Sequence, residues 1–163
     1  MLYVRRATAL DAGDLRAIRS EALQVEPDAY SSQYPRDVFS LRKYESMLSS
    51  GCYFLAYDDQ LVVGMASMAP FDFRGTRYAG LYGMFVSTAY RGTGVASALV
   101  AEVREVAREH RYRALYLSVN EALPRAVGFY EKEGFVLTDE RYAMPRDATI
   151  SLVTMCQPLE LTP

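Results

Sequence analysis

The chain has 163 residues, half of them hydrophobic, and a formal net charge of -2 at pH 7. That length fills one well-buried core and is short for two ordinary domains, so a single domain over residues 1–163 is expected. The near-neutral balance lacks the clustered Lys and Arg that face nucleic-acid phosphates, and no apolar run is long enough for a membrane span or a signal peptide, so a cytoplasmic protein with no nucleic-acid or membrane partner is expected.

Leu2 to Arg6 predicts a short strand, and Asp11 or Asp14 can cap a helix whose apolar positions Leu15, Ile18, Ala22 and Leu23 recur at helical spacing. Glu26 to Asp37 is polar, turn-rich and bracketed by Pro27 and Pro35, which predicts a loop or broken helix. Glu21, Glu26, Asp28 and Asp37 stand there against Arg36, as a solvated surface or as an attraction for a cationic amine. A second helix follows, with Val38, Leu41, Tyr44 and Leu48 on one face and Gly51 just beyond its end.

Cys52 to Tyr57 and Leu61 to Ala69 are β-rich runs separated by Asp58-Asp59-Gln60, a hairpin signature, and Tyr78 to Val86 makes a third strand. A long helix from about Gly94 to Glu109 turns Val95, Leu99, Val103 and Val106 inward, and His110 suits its polar end. Ala114 to Val119 is a continuous apolar run, as in a parallel strand buried on both faces. A fourth helix follows Pro124 and closes at Gly134. Phe135 to Leu137 and Ile150 to Cys156 complete the sheet across a polar connection, Thr138 to Thr149. Cys52 and Cys156 lack metal-site spacing and read as packing residues, and no metal site is expected. The order is β-α-α-β-β-β-α-β-α-β-β, a mixed sheet with helices on both faces.

Between the third strand of this sheet and the long helix lies Arg91-Gly92-Thr93-Gly94. Its glycines permit positive φ and close approach of a ligand, and the helix start offers unpaired N–H groups and partial positive charge, so the segment reads as an anion cradle or as a turn that needs glycine only to bend. A Walker A loop is excluded because Gly94 is followed by Val95-Ala96 rather than Lys-Ser/Thr. A dinucleotide fingerprint is disfavoured because Ser97 stands where its third glycine belongs.

Val86-Ser87-Thr88-Ala89-Tyr90-Arg91-Gly92-Thr93-Gly94-Val95-Ala96 resembles the Arg/Gln-x-x-Gly-x-Gly/Ala signature of the GNAT superfamily of acyl-CoA-dependent N-acyltransferases. Ala126 to Phe135 is similar to that family's helix ending in Tyr-Glu-Lys-x-Gly-Phe. The resemblance covers nearly the whole chain. It implies an α/β fold with a central mixed, largely antiparallel sheet of about seven strands flanked by about four helices. It implies an N-acetyltransferase that moves an acetyl group from acetyl-CoA to a primary amine by direct attack. Backbone N–H groups of Arg91, Gly92, Thr93, Gly94, Val95 and Ala96 would hold the coenzyme A pyrophosphate, with Ser97 adding a hydroxyl. Met84, Phe85 and Val86 would offer backbone groups to the pantetheine arm, and Val86 N–H would polarise the thioester carbonyl. Tyr130 is the candidate acid, because a phenol near 10 stays protonated at neutral pH and can protonate a thiolate whose thiol lies near 8.5.

Two positions depart from the family pattern. Leu123 stands where an Asn is common, so Asn120 is the candidate pantetheine contact, or else a turn residue. Ala79 to Met84 has no carboxylate for a general base, which leaves Tyr82 or Glu21 acting through water, or no base at all. These departures motivate an alternative, a non-catalytic acyl-CoA-binding module. The family's acceptor site is bordered by the first two helices and the last strand loop, where Tyr30, Tyr34, Tyr82 and Tyr142 could line a pocket for a small-molecule or protein amine. A homodimer stays open.

Overall fold

Alternation along β2 (Cys52–Asp58) sets the layers: Phe54 and Ala56 are buried toward one helix layer, Leu55 and Tyr57 toward the other. The computed structural model describes residues 1–30 and 39–163, so Tyr34, Arg36, Asp37 and Val38 lie outside the described residues. The strands are β1 (Leu2–Arg6), β2, β3 (Leu61–Phe73), β4 (Thr76–Val86), β5 (Ala114–Asn120), β6 (Val136–Met144) and β7 (Asp147–Pro158). They form one seven-stranded sheet in the order β1-β2-β3-β4-β5-β7-β6, antiparallel throughout except for the β4–β5 pair.

Helices α1 (Ala12–Val25) and α2 (Leu41–Ser50) cover one face through Leu15, Ile18, Ala22, Tyr44 and Leu48. Leu41, expected inward, is exposed at the start of α2. On the opposite face α3 (Val95–Glu109) buries Val95, Leu99, Val100, Val103 and Val106, and α4 (Pro124–Lys132) adds Val127 and Phe129 beside it. Asp11 holds the N-cap position of the first helix, as expected, but its side chain makes no cap bond to that helix. Thr8 is the cap of a 3-10 turn, Ala9–Asp11, whose carboxylate accepts from Thr8 N–H (2.8 Å) and from the Arg5 guanidinium (2.7 and 2.9 Å), while Asp14 accepts from Tyr57 Oη (3.0 Å).

β3, β6 and β7 run further than their sequences suggest. β3 continues through Pro70 because β2 ends at the Cys52–Met68 pair, so beyond it β3 is a local edge where proline costs no ladder bond. The polar connection expected at Thr138–Thr149 is mostly strand, since β6 is the sheet edge and Asp139, Glu140 and Arg141 need no apolar partner there.

Candidate active site

The parallel β4–β5 pairing holds only at Ala79–Leu115 and Gly80–Tyr116. Beyond it the register of β4 on β3 jumps from Tyr82–Ser67 to Phe85–Met65, so Gly83 and Met84 bulge opposite Ala66, with Gly83 at φ +59°. The two strands part at this bulge. A cleft of about 1180 Å³ opens between them, from Tyr82 and Tyr142 at one end to Arg91, Gly92, Gly94, Ala96 and Ser97 at the other. Ser87 N–H bonds the Val63 carbonyl at 2.9 Å, and successive N–H groups alternate sides along a strand, so Val86 N–H turns away from β3 toward the opening.

Gly92 (φ +78°) and Gly94 (φ +89°) take the left-handed conformation that the sequence anticipates, and no atom lies within 4 Å of where a Cβ would stand at either. The first bond of α3 runs from Ala98 N–H to the Gly94 carbonyl (3.0 Å), which leaves Val95, Ala96 and Ser97 N–H without helical acceptors. Both glycines line the cleft with open space beside them, and the free N–H groups at the helix start fit a phosphate-bearing group. Buried Val95 anchors the helix start. Thr93 Oγ1 donates to the Tyr90 carbonyl, and Tyr90 Oη donates to Asp58 (2.8 Å), fixing the loop against the end of β2.

Arg91 points inward rather than along the cradle. Its Nε donates to the Val86 carbonyl (3.2 Å) and its Nη2 to Glu26 (2.5 Å). Asn120 is buried in the cleft wall, with Nδ2 donating to the Asp28 carbonyl (3.1 Å) and Oδ1 accepting from Ala122 N–H (3.0 Å). It thus shapes the turn before α4, where Leu123 stands as an N-cap without a side-chain bond.

Tyr130 lies in the wall of the same cleft, half-buried, with its ring edge-on to Phe129 (5.2 Å) and Phe135 (5.7 Å). The helix end that holds it closes as expected: Gly134 has φ +98° and Phe135 N–H returns to the Tyr130 carbonyl (3.0 Å). Loss of water around the phenol, and then the negative charge of Glu26, push it above its ordinary value, so it is protonated at neutral pH.

Sequence reasoning singled out the ring of Tyr30 but not its role as a strap. Glu26 to Tyr30 crosses the cleft and is tied to all its walls: Glu26 to Arg91, Asp28 to Asn120, Tyr30 Oη to the Met84 carbonyl (2.8 Å), and Arg146 Nε to the Tyr30 carbonyl (3.0 Å). Arg146 Nη2 also donates to the Pro27 carbonyl. Nothing at Arg146 in the sequence marks this contact. The carboxylates are engaged as well, with Glu21 accepting from Ser87 Oγ (3.0 Å), while Tyr82 Oη donates to the Pro70 carbonyl (3.1 Å). A second cavity of about 260 Å³ lies under α1 and α2 and shares Tyr30, Tyr82 and Gly83 with the cleft.

Among the described residues no group of three or more His, Cys, Asp or Glu could hold a metal ion, and no helix is long and apolar enough to cross a membrane. Residues 15–135 match the acetyltransferase (GNAT) family. The chain is 31% identical over 94 residues to human N-acetyltransferase 8, a stretch that is 56% of this chain and 41% of that protein, so it spans less than half of that relative. An acetyltransferase of GNAT family from Streptococcus pneumoniae superposes with a TM-score of 0.81 at 24% identity, covering 98% of this chain and 100% of that one. A GNAT superfamily phosphinothricin acetyltransferase from Sinorhizobium meliloti, solved in complex with acetyl-CoA, superposes with a TM-score of 0.78 at 20% identity, covering 97% and 88%.

Proposed function

Since this chain belongs to the acetyltransferase (GNAT) family, we propose that it is an N-acetyltransferase moving an acetyl group from acetyl-CoA to a primary amine of a small molecule or protein. The observation that carries this reading is the parting of β4 and β5 at the Gly83–Met84 bulge, directly above a glycine cradle at a helix start and beside the Tyr130 phenol. Bound acetyl-CoA supplies an activated acetyl thioester.

The chain's own groups divide the remaining tasks. N–H groups from Gly92 to Ser97 and the start of α3 hold the pyrophosphate, with no Cβ at 92 or 94 to intrude. Arg91 acts mainly by fixing Glu26 and the Val86 carbonyl, so the backbone carries most of the binding. Val86 N–H, turned toward the opening, would donate to the thioester carbonyl oxygen and favour the charge that develops there. In direct transfer the amine would replace the thiolate on the acetyl carbon and lose its proton to solvent, and Tyr130 Oη, in the cleft wall, would give a proton to the departing thiolate. Transfer from a raised phenol to a thiolate is uphill in itself and is drawn forward as water reprotonates the phenoxide and the thiol leaves.

Thermal unfolding with acetyl-CoA, free coenzyme A, ATP and NAD in parallel tests this. Ligand at about a hundredfold over Kd stabilises by roughly 2.7 kcal/mol, and the reading expects that shift with both coenzyme A species and not with ATP or NAD. No shift with coenzyme A would overturn it.

One observation favours a second reading, an acyl-CoA-binding module without turnover. The β4 bulge carries no carboxylate, and Glu21 and Glu26 are both bound to other side chains. Binding of acetyl-CoA with no transfer to any amine would support that module.

A further inference from the structure

We propose that the acceptor is a small primary amine carried on an apolar or aromatic body, which the 260 Å³ cavity under α1 and α2 receives. This rests on the acetyl-transfer reading and specifies its substrate class. The cavity adjoins the cleft at the bulge, where Tyr30, Tyr82 and Gly83 line both. An amine whose body fills it presents its nitrogen where β4 and β5 part.

The lining sets the chemistry. Leu15, Ala22, Leu23, Met47 and Met65 give an apolar floor, and two thioethers adapt readily to an aromatic ring. Three phenols, Tyr30, Tyr53 and Tyr82, stand at its sides, and burial raises each above its ordinary value, so they are neutral donors and acceptors rather than anions. Among the described lining residues the one charged group is Arg19, which donates to Tyr44 Oη (3.1 Å) and lies over the Phe39 ring (4.8 Å). No described carboxylate lines the cavity. A polyamine would bury further ammonium groups there with no described carboxylate to pair them, which is costly, whereas an apolar body buries no additional charge. The volume is below the roughly 300–1,000 Å³ of sites for drug-sized ligands, which suits an acceptor of amino-acid size.

The experiment compares phenethylamine, spermidine, glucosamine and a lysine peptide as acceptors at saturating acetyl-CoA. Saturation-transfer NMR of phenethylamine with the protein and free coenzyme A gives a readout independent of turnover. The expected result is a kcat/KM for phenethylamine at least about tenfold above the others, with ring protons in contact with the protein. Ser67→Leu, at a half-buried lining position, should raise the phenethylamine KM by about tenfold or more and erase the NMR contact, with the acetyl-CoA thermal shift retained. Met47→Ala should move preference toward the bulkier tryptamine, a gain that misfolding cannot imitate. Preference for spermidine, glucosamine or the peptide, no acetylation of any amine, or indifference of phenethylamine to both substitutions would overturn the inference while a retained acetyl-CoA shift left the cofactor reading intact. Loss of that shift in the unsubstituted protein would overturn both.

Discussion

Tyr30 Oη donates to the Met84 carbonyl at 2.8 Å, joining the strap after α1 to the bulge of β4 where the sheet opens. The contact stands where the cleft adjoins the cavity under α1 and α2, since Tyr30 lines both. Tyr30→Phe removes the hydrogen bond and keeps the ring. The expected loss is about 1 kcal/mol, seen as a fall in Tm of about 2–4 °C without ligand. An unchanged Tm would mean that the strap is held by its other tethers alone.

Tyr130→Phe should leave acetyl-CoA affinity within a few fold and lower kcat by about tenfold or more, the range for losing an acid. Steady-state kinetics beside a binding titration separates the two, and unchanged turnover would remove Tyr130 from the mechanism. Burial raises the phenols of Tyr30 and Tyr130, so the stability linked to their protonation is present below about pH 10 and is lost as pH rises further. The share of tyrosinate absorbance that comes from these two phenols should therefore appear together with loss of tertiary structure, and titration of all tyrosines in a folded protein would contradict this.

Gly94→Val places a branched side chain at φ +89° on a residue that lines the cleft. A loss of acetyl-CoA affinity of at least about tenfold is expected, from strain and obstruction together, with the circular dichroism of the fold retained. Retained affinity would show that the pyrophosphate lies elsewhere.

Asp11 is pulled from 3.8 to about 2, first by the Arg5 guanidinium and then by the Thr8 backbone, against the effect of its burial. A depressed carboxylate contributes stability above its unfolded value and loses it as pH falls. The pair should thus supply roughly 1–2 kcal/mol at pH 7, after screening of the half-exposed Arg5, and lose it between about pH 4 and 2. Asp11→Asn should lower stability at pH 7 by that amount and flatten the acid limb in urea titrations. An unaltered acid limb would contradict the assignment.

Where the chain repeats a local rule, the fold was readable from its residues. Leu15, Ile18, Ala22 and Leu23 mark the buried stripe of α1, and Gly92, Gly94 and Gly134 mark the positions that need positive φ. Only the start of β6 was readable, at Phe135 to Leu137, because Asp139, Glu140 and Arg141 satisfy an edge strand as well as they would a loop. The strap was hidden for another reason. Glu26 meets Arg91 across 65 positions and Arg146 meets Tyr30 across 116, and such pairings exist only once the sheet has brought the segments together.

Direct transfer is tested by acetyl-CoA labelled in its acetyl group, incubated with the protein and phenethylamine and then separated into small-molecule and protein fractions. The account predicts label in the amine product, none retained on the protein without acceptor, and a rate cut about tenfold or more by Tyr130→Phe. Label held covalently on the protein, or no labelled amine despite bound acetyl-CoA, would contradict it.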